Sequence, residues 1–477
     1  MQINPSRARE LKRAIFKSRM TAVAVIASLG LLASACGDDA DTNASDDAST
    51  TSAPVSTTAD ESDPSGDEPV EPDPVDEIVL TDSFRGVTAS TIKLGYSAID
   101  FDLLNNTFGL DLAYQNTGPM ADAIVALYNE NGGVLGRQIE LVHESYLPVG
   151  PTSADEVCIK LTQDAEVFGV LGGFAGPGAV DVNKCFTELN DTILVGPSPR
   201  AEQAERAGGL WVSSDMSLDR RNAAVARLMA DAGVLDDLGS MMVIGSNEDE
   251  STLVEGMAQA LRDVGVDVPL TSFVTTTGDR AATAGDVLIW IEQARTAGVS
   301  TVVLLGEGEF RNQEFFVEAP EFTYIMGNGD AISDWASIPP EGLQAGTRIL
   351  TNNNGKDVDV FDDPRFLECV DVVEEALGIE VIATSELPDG DPNYFSGTIG
   401  ACRTVSLFVQ IAEAAGPDLT NESWIAALDK MGDLSLPGYE FVSLNSGKVD
   451  ARDQLVLVEF HQDTLTFEPI SDPINVG

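Results

Sequence analysis

The chain has 477 residues, and 78 acidic side chains against 27 basic ones give it a formal net charge of −51 at pH 7. Such a charge repels phosphate groups, so it excludes nucleic acid as a partner and argues against binding to an anionic membrane surface. About 390 residues follow the first acidic stretch, more than one hydrophobic core usually serves, so the length predicts two domains.

Residues 1–36 have the pattern of an export signal that ends in a cysteine. Six basic residues precede an apolar run at 20–32, and small residues at 33–35 precede Cys36. The apolar run is shorter than the ~20 residues that cross a bilayer. The segment is similar to a bacterial lipobox, although Leu32 lies one position farther from the cysteine than usual. The similarity implies cleavage of a signal peptide at 1–35 and a lipid on Cys36; a plain secretory signal is the alternative.

An acidic tract follows this cysteine. Residues 37–77 contain fourteen acidic side chains and no basic one, with Ser, Thr, Pro and Ala between them. This composition cannot bury enough apolar surface to offset the entropy of ordering, so it predicts a disordered linker at 36–87. Such a linker would span about 40 Å and hold a domain clear of a membrane. An acidic interaction tail is the alternative.

Four cysteines remain when Cys36 is set aside: Cys158, Cys185, Cys369 and Cys402. An even number of cysteines in an exported protein favours disulfides, and three pairings are possible. The pairs Cys158–Cys185 and Cys369–Cys402 close the shortest loops, and each bridge would contribute about 3–4 kcal/mol of stability. Buried free thiols are the alternative.

Short apolar runs alternate with helical patterns from residue 91 onward. Runs typical of strands lie at 92–96, 139–142, 167–171, 193–195, 241–244, 270–274, 301–305 and 324–326. Helices are predicted between most of these runs and again at 364–377, 395–415 and 420–430, before a strand-rich tail that begins at 439. This alternation predicts an α/β fold of two doubly wound units, with parallel sheets and right-handed crossovers.

Residues suited to catalysis are few. His143 and His461 each lie in or beside a predicted strand, which favours a structural role, and the sequence contains no nucleophile-elbow, zinc-protease or phosphate-loop motif. The segment at 389–393 resembles the start of a calcium-binding loop but lacks its glycine and its closing glutamate. The sequence therefore predicts a protein that is not an enzyme and that carries no metal and no cofactor.

Glycine-rich loops follow five of the predicted strands. They lie at 172–176, 196–200, 245–247, 306–308 and 327–330. Open α/β sheets bind ligands at the carboxyl ends of their strands, and glycines there bring backbone N–H groups close to an anionic group. These loops predict a cleft that binds a small molecule.

The segment at 129–142, with the sequence NENGGVLGRQIELV, resembles the helix–Gly-Gly–Gly-Arg–strand segment of solute-binding proteins from branched-chain amino-acid ABC transporters. The similarity covers about residues 88–470. It implies the type I periplasmic-binding fold, in which two Rossmann-like lobes joined by a three-crossing hinge close on a ligand. It places 88–213 plus 346–440 in the N-terminal lobe and 214–345 plus 441–477 in the C-terminal lobe. Both local disulfides would then lie within the N-terminal lobe.

The glycine-rich loops and the resemblance together indicate which residues bind the ligand. These candidates are Phe174, Ala175, Ser198, Arg200, Asn247, Glu307 and Asp330. Agreement with the family's amino-acid site is partial, because Phe174-Ala175-Gly176 replaces a hydroxyl-bearing loop, and the loop at 97–114 is longer than usual. We expect Arg200 to bind an anionic group of the ligand. The alternative is a surface ion pair with Glu202 or Glu205.

The resemblance thus implies a lipid-anchored solute-binding protein on the extracytoplasmic face of the cell membrane. It would bind a small polar ligand, such as an amino acid or a related carboxylate or amide. As a monomer, it would deliver this ligand to the permease and ATPase subunits of an ABC importer. The alternative is a sensory protein that reports ligand occupancy to a membrane partner without import, because a fold alone does not determine function.

Overall fold

The computed structural model describes residues 79–477, with gaps at 110–111, 113, 177, 246–250, 275–279, 306–312, 328–342, 345, 354–355 and 389. The side chains at 280, 313 and 314 are also left out. Leu80–Gly477 form one compact unit. The predicted signal peptide, the predicted lipidation site Cys36 and residues 36–78 of the predicted linker therefore lie outside the described residues. Residues 80–87, also predicted to belong to the disordered linker, are part of the compact unit instead, because Val87 is buried in its core.

Five parallel strands form the first sheet, in the order β2-β1-β3-β4-β5. The strands are β1 Thr91–Ile99, β2 Gln138–Tyr146, β3 Gly169–Leu171, β4 Ile193–Val195 and β5 Trp211–Val212. Every residue of β3, β4 and β5 is buried. This is expected of a parallel sheet that helices cover on both faces.

Seven of the strands in the second sheet follow the order β14-β13-β10-β9-β8-β6-β7, and β15 pairs with β13. The segment from β6 to β10 is parallel, whereas β13, β14 and β15 are antiparallel to their partners. The strands are β6 Met241–Gly245, β7 Leu270–Phe273, β8 Thr301–Leu304, β9 Thr323–Met326, β10 Ile349–Asn353, β13 Gln454–His461, β14 Thr466–Pro469 and β15 Ile474–Asn475. A small hairpin joins β11 Gly432–Asp433 to β12 Ser443–Leu444. The prediction of an α/β fold with parallel sheets is confirmed.

Helices connect these strands and cover the sheets. The helix at 364–377 shows how local sequence determines where a helix begins and ends. At its start, the Asp363 carboxylate accepts the N–H of Arg365, and Pro364 is the first helical residue. At its end, Gly378 adopts a left-handed φ of 64°. The helices are α1 Phe101–Phe108, α2 Gly118–Glu130, α3 Thr152–Ile159, α4 Ala201–Ala207, α5 Leu218–Asp231, α6 Leu235–Leu238, α7 Ser251–Asp263, α8 Arg280–Ala297, α9 Gln313–Glu318, α10 Pro364–Leu377, α11 Phe395–Ala415 and α12 Asn421–Leu428.

Separate hydrophobic cores accompany the two sheets. The first sheet packs with buried side chains from 87–212 and 366–451, and the second with buried side chains from 216–350 and 455–476. Two segments differ from the expected lobe boundaries. Strand β10, expected with the first lobe, pairs with β9 and β13 because Ile349 and Leu350 fill a central position of the second sheet. Residues 442–451, expected with the second lobe, contribute Val442, Leu444 and Val449 to the first core.

The loop after β1, whose unusual length is visible in the sequence, contains the additional helix α1. Its first turn is capped by Asp100, whose carboxylate accepts the N–H of Leu103 at 2.8 Å. Gly109 ends the helix in the left-handed region, with a φ of 66°. Leu104 anchors the helix by packing its side chain in the interior. The loop therefore adds a fixed surface beside β1.

Both disulfides have the predicted local pairing. Cys158 is bonded to Cys185, with Cα atoms 6.4 Å apart, and Cys369 to Cys402, with Cα atoms 6.1 Å apart. The second bridge joins α10 to α11 within the core of the first sheet. Each bridge therefore cross-links elements that pack against the same sheet.

The arginine of the NENGGVLGRQIELV segment has a structural role. The Arg137 side chain is completely buried and donates hydrogen bonds to the carbonyl oxygens of Thr88 at 2.7 Å, Thr81 at 3.0 Å and Pro417 at 2.8 Å. Buried carbonyl groups need such donors because water cannot reach them. Arg137 thus fixes the segment that leads into β1 and the segment that leads into α12.

Candidate functional site

The chain crosses from the first sheet to the second directly after β5. The N–H of Ser213 donates to the carbonyl of Val449 at 2.9 Å, and the N–H of Ala451 donates to the carbonyl of Ser213 at 2.8 Å. Ser213 and Asp450 therefore form a parallel bridge between two crossing segments. The carboxyl edge of the first sheet lies beside these crossings, in the position that the sequence predicts for a ligand cleft.

A tight turn after β3 shapes this edge. Gly172 has a φ of 98°, and a Cβ atom there would lie 2.5 Å from the carbonyl oxygen of Ser97 at the end of β1. A glycine is required on both counts. The Ser97 hydroxyl donates to the carbonyl of Gly173 at 2.9 Å. The loops that follow β1 and β3 are consequently held together.

The Phe174 side chain belongs to the hydrophobic core. It is completely buried, and its ring centroid lies 4.9 Å from that of Tyr146 and 5.0 Å from that of Phe186. Its backbone N–H donates to the Asn183 side chain at 2.7 Å. The ring expected to contact ligand therefore packs beneath the loop instead, because burying a large aromatic surface is more favourable than leaving it exposed at the cleft.

Ala175 is exposed at the edge, as expected of a cleft residue. Its N–H is not free for an anion, because it donates to the Tyr146 hydroxyl oxygen at 2.7 Å. Burial raises the pKa of Tyr146 to about 12, and the hydrogen bond from Ala175 opposes this rise. Tyr146 is therefore neutral at physiological pH and holds the loop in place.

Ser198 links the edge of the sheet to the crossings. Its hydroxyl donates to the Ser213 hydroxyl oxygen at 2.9 Å, and that oxygen also accepts the N–H of Asp215 at 3.1 Å. Ser198 is partly exposed, whereas Ser213 is buried. The predicted site residue and the first crossing are thus joined by a side-chain hydrogen bond.

Arg200 lies directly before α4 and is partly exposed. Its backbone N–H donates to the Gln203 side chain at 2.9 Å. Between the described residues, no ion pair or hydrogen bond involves its guanidinium group. Glu202 lies 3.8 Å from Arg206 instead. The surface pair that was the alternative to a ligand contact is therefore not formed among the described residues.

Three further candidates, Asn247, Glu307 and Asp330, lie outside the described residues, as does Asp389 of the calcium-like segment. The two histidines occupy surface positions. His143 lies in β2 and contacts Asp122 at 2.7 Å, and His461 ends β13 with an exposed side chain. The described residues contain no group of three or more metal-ligating side chains.

A cluster of charged side chains surrounds the crossings, and sequence reasoning missed it. We call it the crossing ion cluster; its members are Asp215, Arg220, Arg221, Asp450, Arg452 and Asp453. Asp215 contacts Arg452 at 2.8 Å and Arg221 at 3.9 Å, and Arg220 contacts Asp450 at 2.9 Å and Asp453 at 2.8 Å. The signal in the sequence is that three of its few arginines lie beside aspartates at 215–221 and 450–453.

Burial and charged neighbours shift the pKa values of Asp215, a member of the crossing ion cluster, and of Lys448 beside it. Burial on its own raises the pKa of Asp215, but Arg452 and Arg221 outweigh it and hold this pKa below its ordinary value. Lys448 lies 3.0 Å from Asp453, and burial together with Arg220 lowers the pKa of Lys448. The crossing ion cluster thus favours the charged form of Asp215 and connects both crossings to the start of α5.

An apolar groove of about 680 Å³ lies elsewhere on the second sheet. It runs between β7 and α8 and is lined by Leu270, Leu288, Ile289, Glu292, Gln293, Thr296 and Ala297. Leu270 is the first residue of β7, and Ala297 is the last residue of α8. The groove consequently lies at the amino edge of this sheet, away from the predicted cleft loops.

Within the described part of the chain, no helix combines the length and the apolar character needed to cross a membrane.

No protein-family model and no curated protein sequence matches the chain. Solved structures do match it. A Rhodopseudomonas palustris ABC-transporter solute-binding protein in complex with p-hydroxybenzoic acid is 14% identical, with a TM-score of 0.56 over 81% of this chain and 98% of that chain. A Desulfitobacterium hafniense ABC-transporter substrate-binding protein in complex with Leu is 16% identical, with a TM-score of 0.55 over 80% and 100%. A Thermomonospora curvata fatty-acid ABC-transporter substrate-binding protein is 15% identical, with a TM-score of 0.54 over 83% and 95%. The chain therefore has the type I periplasmic-binding fold, as its sequence predicts.

Proposed function

We propose that this protein is the solute-binding component of an ABC importer and captures a small molecule between two lobes built on its two sheets. The proposal is supported mainly by the position of the crossings. Ser213 and Asp450 lie on the two crossing segments at the carboxyl edge of the first sheet, where the loops that follow its strands also lie. Proteins of the same fold bind p-hydroxybenzoic acid and leucine. A binding role, with no catalytic step, accounts for this architecture.

The proposed ligand is a small molecule with an anionic group, such as an amino acid or a related carboxylate. Arg200 supports this choice, because its guanidinium has no partner among the described residues and a carboxylate matches its planar donors. Ser198 lies in the same loop and supplies a hydroxyl. We further propose that Asn247, Glu307 and Asp330 bind the ligand from the second lobe.

The proposed location is the extracytoplasmic face of the cell membrane. The basic, apolar and small-residue pattern before Cys36 supports cleavage of a signal peptide and lipidation of this cysteine. Two confirmed disulfides agree with an oxidising compartment. A lipid-anchored monomer would deliver its ligand to the permease and ATPase subunits of the importer.

A thermal-shift screen tests the proposal. The mature protein is mixed with amino acids, amides, short carboxylates and nucleosides, and its melting temperature is recorded. A solute at about 100 times its Kd adds about 2.7 kcal/mol to the free energy of unfolding, which raises the melting temperature measurably. If none of these classes changes the melting temperature, the proposed function is contradicted.

Arg200→Ala tests the proposed contact once a ligand is found. Loss of a charge-assisted hydrogen bond costs about 1.5–3 kcal/mol, which weakens binding about tenfold or more. Arg206→Ala is the matched control, because Arg206 lies in the short helix that begins directly after Arg200 and pairs with Glu188 at 3.1 Å. Calorimetry should show weaker binding for Arg200→Ala and unchanged binding for the control. Equal affinities would exclude Arg200 from the site.

A further inference from the structure

Exposed apolar side chains collect on the loops that follow β1 and β2. We call this surface the apolar rim; it consists of Leu103, Phe108, Tyr114 and Val149, which are 47%, 40%, 49% and 53% exposed. Leu103 and Phe108 belong to α1, Tyr114 follows it, and Val149 follows β2. The two loops leave the sheet side by side, because Ile99 at the end of β1 is paired with Tyr146 at the end of β2. Several exposed apolar side chains in one region of a surface indicate a binding surface. The rim lies at the carboxyl edge of the first sheet, where the proposed cleft is.

The apolar rim is fixed to the first sheet. The N–H of Asp100, the residue that caps α1, donates to the carbonyl of Tyr146 at 2.9 Å, which ties α1 to the end of β2. The ring of Tyr114 lies 5.5 Å from the ring of Phe101. Tyr114 also forms a backbone bridge with Asn393, which precedes α11. The rim side chains are therefore exposed on a positioned support.

The polar groups near the apolar rim already have partners within the chain. The Ser97 hydroxyl donates to Gly173, the Phe174 N–H donates to a buried asparagine, and the Ala175 N–H donates to Tyr146. An incoming polar ligand would have to break these bonds and leave their partners unsatisfied, which is unfavourable. An apolar group of a ligand needs no hydrogen-bond partner, and its transfer out of water is favourable.

Arg200 lies on the same edge, in the loop after β4, whereas the apolar rim lies in the loops after β1 and β2. The sheet order places β3 between β1 and β4, and adjacent strands lie about 4.8 Å apart, so the ends of β1 and β4 are roughly 10 Å apart. Arg200 follows β4 and, among the described residues, makes no ion pair. The edge therefore offers a cation at one end and an apolar surface at the other.

We propose that the ligand is an amphipathic carboxylate with an aryl-alkyl or acyl body. Its carboxylate binds Arg200, and its apolar body extends across the end of β3 to pack on the apolar rim. The inference rests on the proposed function, because it names the substrate class of that site. A branched-chain amino acid is too short to pack on the apolar rim while its carboxylate binds Arg200, because the ends of β1 and β4 are roughly 10 Å apart.

Calorimetric titration of the mature protein with four probes tests the inference. Octanoate and 3-phenylpropionate represent the proposed class, and leucine and asparagine represent amino acids. The rim variant is Leu103→Ser combined with Tyr114→Ser. The matched control is Ile159→Ser combined with Leu189→Ser, because these side chains are 46% and 71% exposed and precede β3 and β4 at the opposite edge. Melting temperatures confirm that both variants are folded.

The expected result is binding of octanoate or 3-phenylpropionate that is weakened about tenfold or more in the rim variant and unchanged in the control. Binding of leucine or asparagine with equal affinity in all three proteins overturns the inference but leaves the proposed function standing. Equal weakening in the rim variant and the control also overturns the inference, because the loss would then come from general destabilisation. Failure of all four probes to bind, together with a negative thermal-shift screen, contradicts the proposed function itself.

Discussion

Replacing Asp450 by asparagine tests whether the crossing ion cluster stabilises the junction of the two sheets. The Asp450 side chain is 7% exposed, and its Oδ2 accepts the N–H of Ser217 at 2.7 Å and the Nε–H of Arg220 at 2.9 Å. Asparagine keeps the shape and one acceptor oxygen but removes the charge. Arg220 then has Asp453, at 2.8 Å, as its remaining carboxylate in the cluster.

The expected loss of unfolding free energy follows from the burial of the Asp450 carboxylate. Removing one partner of a buried ion pair costs about 3–5 kcal/mol, because the other charge is left without compensation. Arg220 is 22% exposed and keeps Asp453, so the loss should lie below that range, at about 2–3 kcal/mol in the free energy of unfolding. Urea denaturation of the mature protein, with a constant m-value, measures this difference.

Glu292→Gln is the matched control for Asp450→Asn. Arg295 also has two carboxylate partners, Glu292 at 2.7 Å and Glu321 at 2.8 Å, but Glu292 is 71% exposed. Exposed ion pairs contribute at most about 1 kcal/mol and weaken in salt. A loss below about 1 kcal/mol for Asp450→Asn, or equal losses for both variants, would refute the argument that burial makes the crossing ion cluster important.

Three further predictions concern pH, the disulfides and the anchor. Because Arg452 holds the folded-state pKa of Asp215 below its ordinary value, the stabilisation from Asp215 is present above the ordinary carboxyl pKa and is lost as the pH falls through the folded-state pKa. Asp215→Asn should therefore flatten the decline in unfolding free energy as the pH falls below about 5, and an unchanged slope would contradict this. Replacing Cys369 and Cys402 together by serine should cost about 4 kcal/mol in urea titrations, because the bridge closes a separation of 33 residues; a loss below about 1 kcal/mol would exclude the loop-entropy account. Cys36→Ser should move the exported protein from the membrane fraction to the medium in cell fractionation, and retention would show that another segment anchors it.

Most helices and strands are predictable because their buried residues recur at short, regular intervals along the chain. In α7, Leu253, Met257 and Leu261 are buried at helical intervals, and all residues of β6 are buried. Two elements are not predictable in this way. Helix α1 contains adjacent asparagines and depends on its cap at Asp100 and on burial of Leu104. Strand β10 ends in polar residues and is recognisable only once it is paired between β9 and β13.

The candidate site is predictable only in part. Glycine-rich loops indicate the carboxyl edge of the first sheet as the place of a candidate site, because strand ends and turn residues are local features. The partners of the site residues are not local. Ser198 bonds to Ser213, and the Ala175 N–H bonds to Tyr146, 29 positions earlier in the chain. Burial of the Phe174 ring likewise depends on aromatic side chains from other segments.

The sequence by itself determines the scarcity of basic side chains and indicates the α/β class, because composition and short-range spacing specify both. It favours the local pairing of the cysteines, which the structure then establishes. Only the tertiary structure decides which charges meet. Arg220 and Asp453 are 233 positions apart, yet they lie 2.8 Å from each other where two crossings run side by side. The tertiary structure also decides which apolar side chains form the apolar rim, because the exposure of a side chain depends on which other parts of the chain cover it. Contacts of this kind arise from the order of strands in the sheets, and no pattern within a short segment records that order.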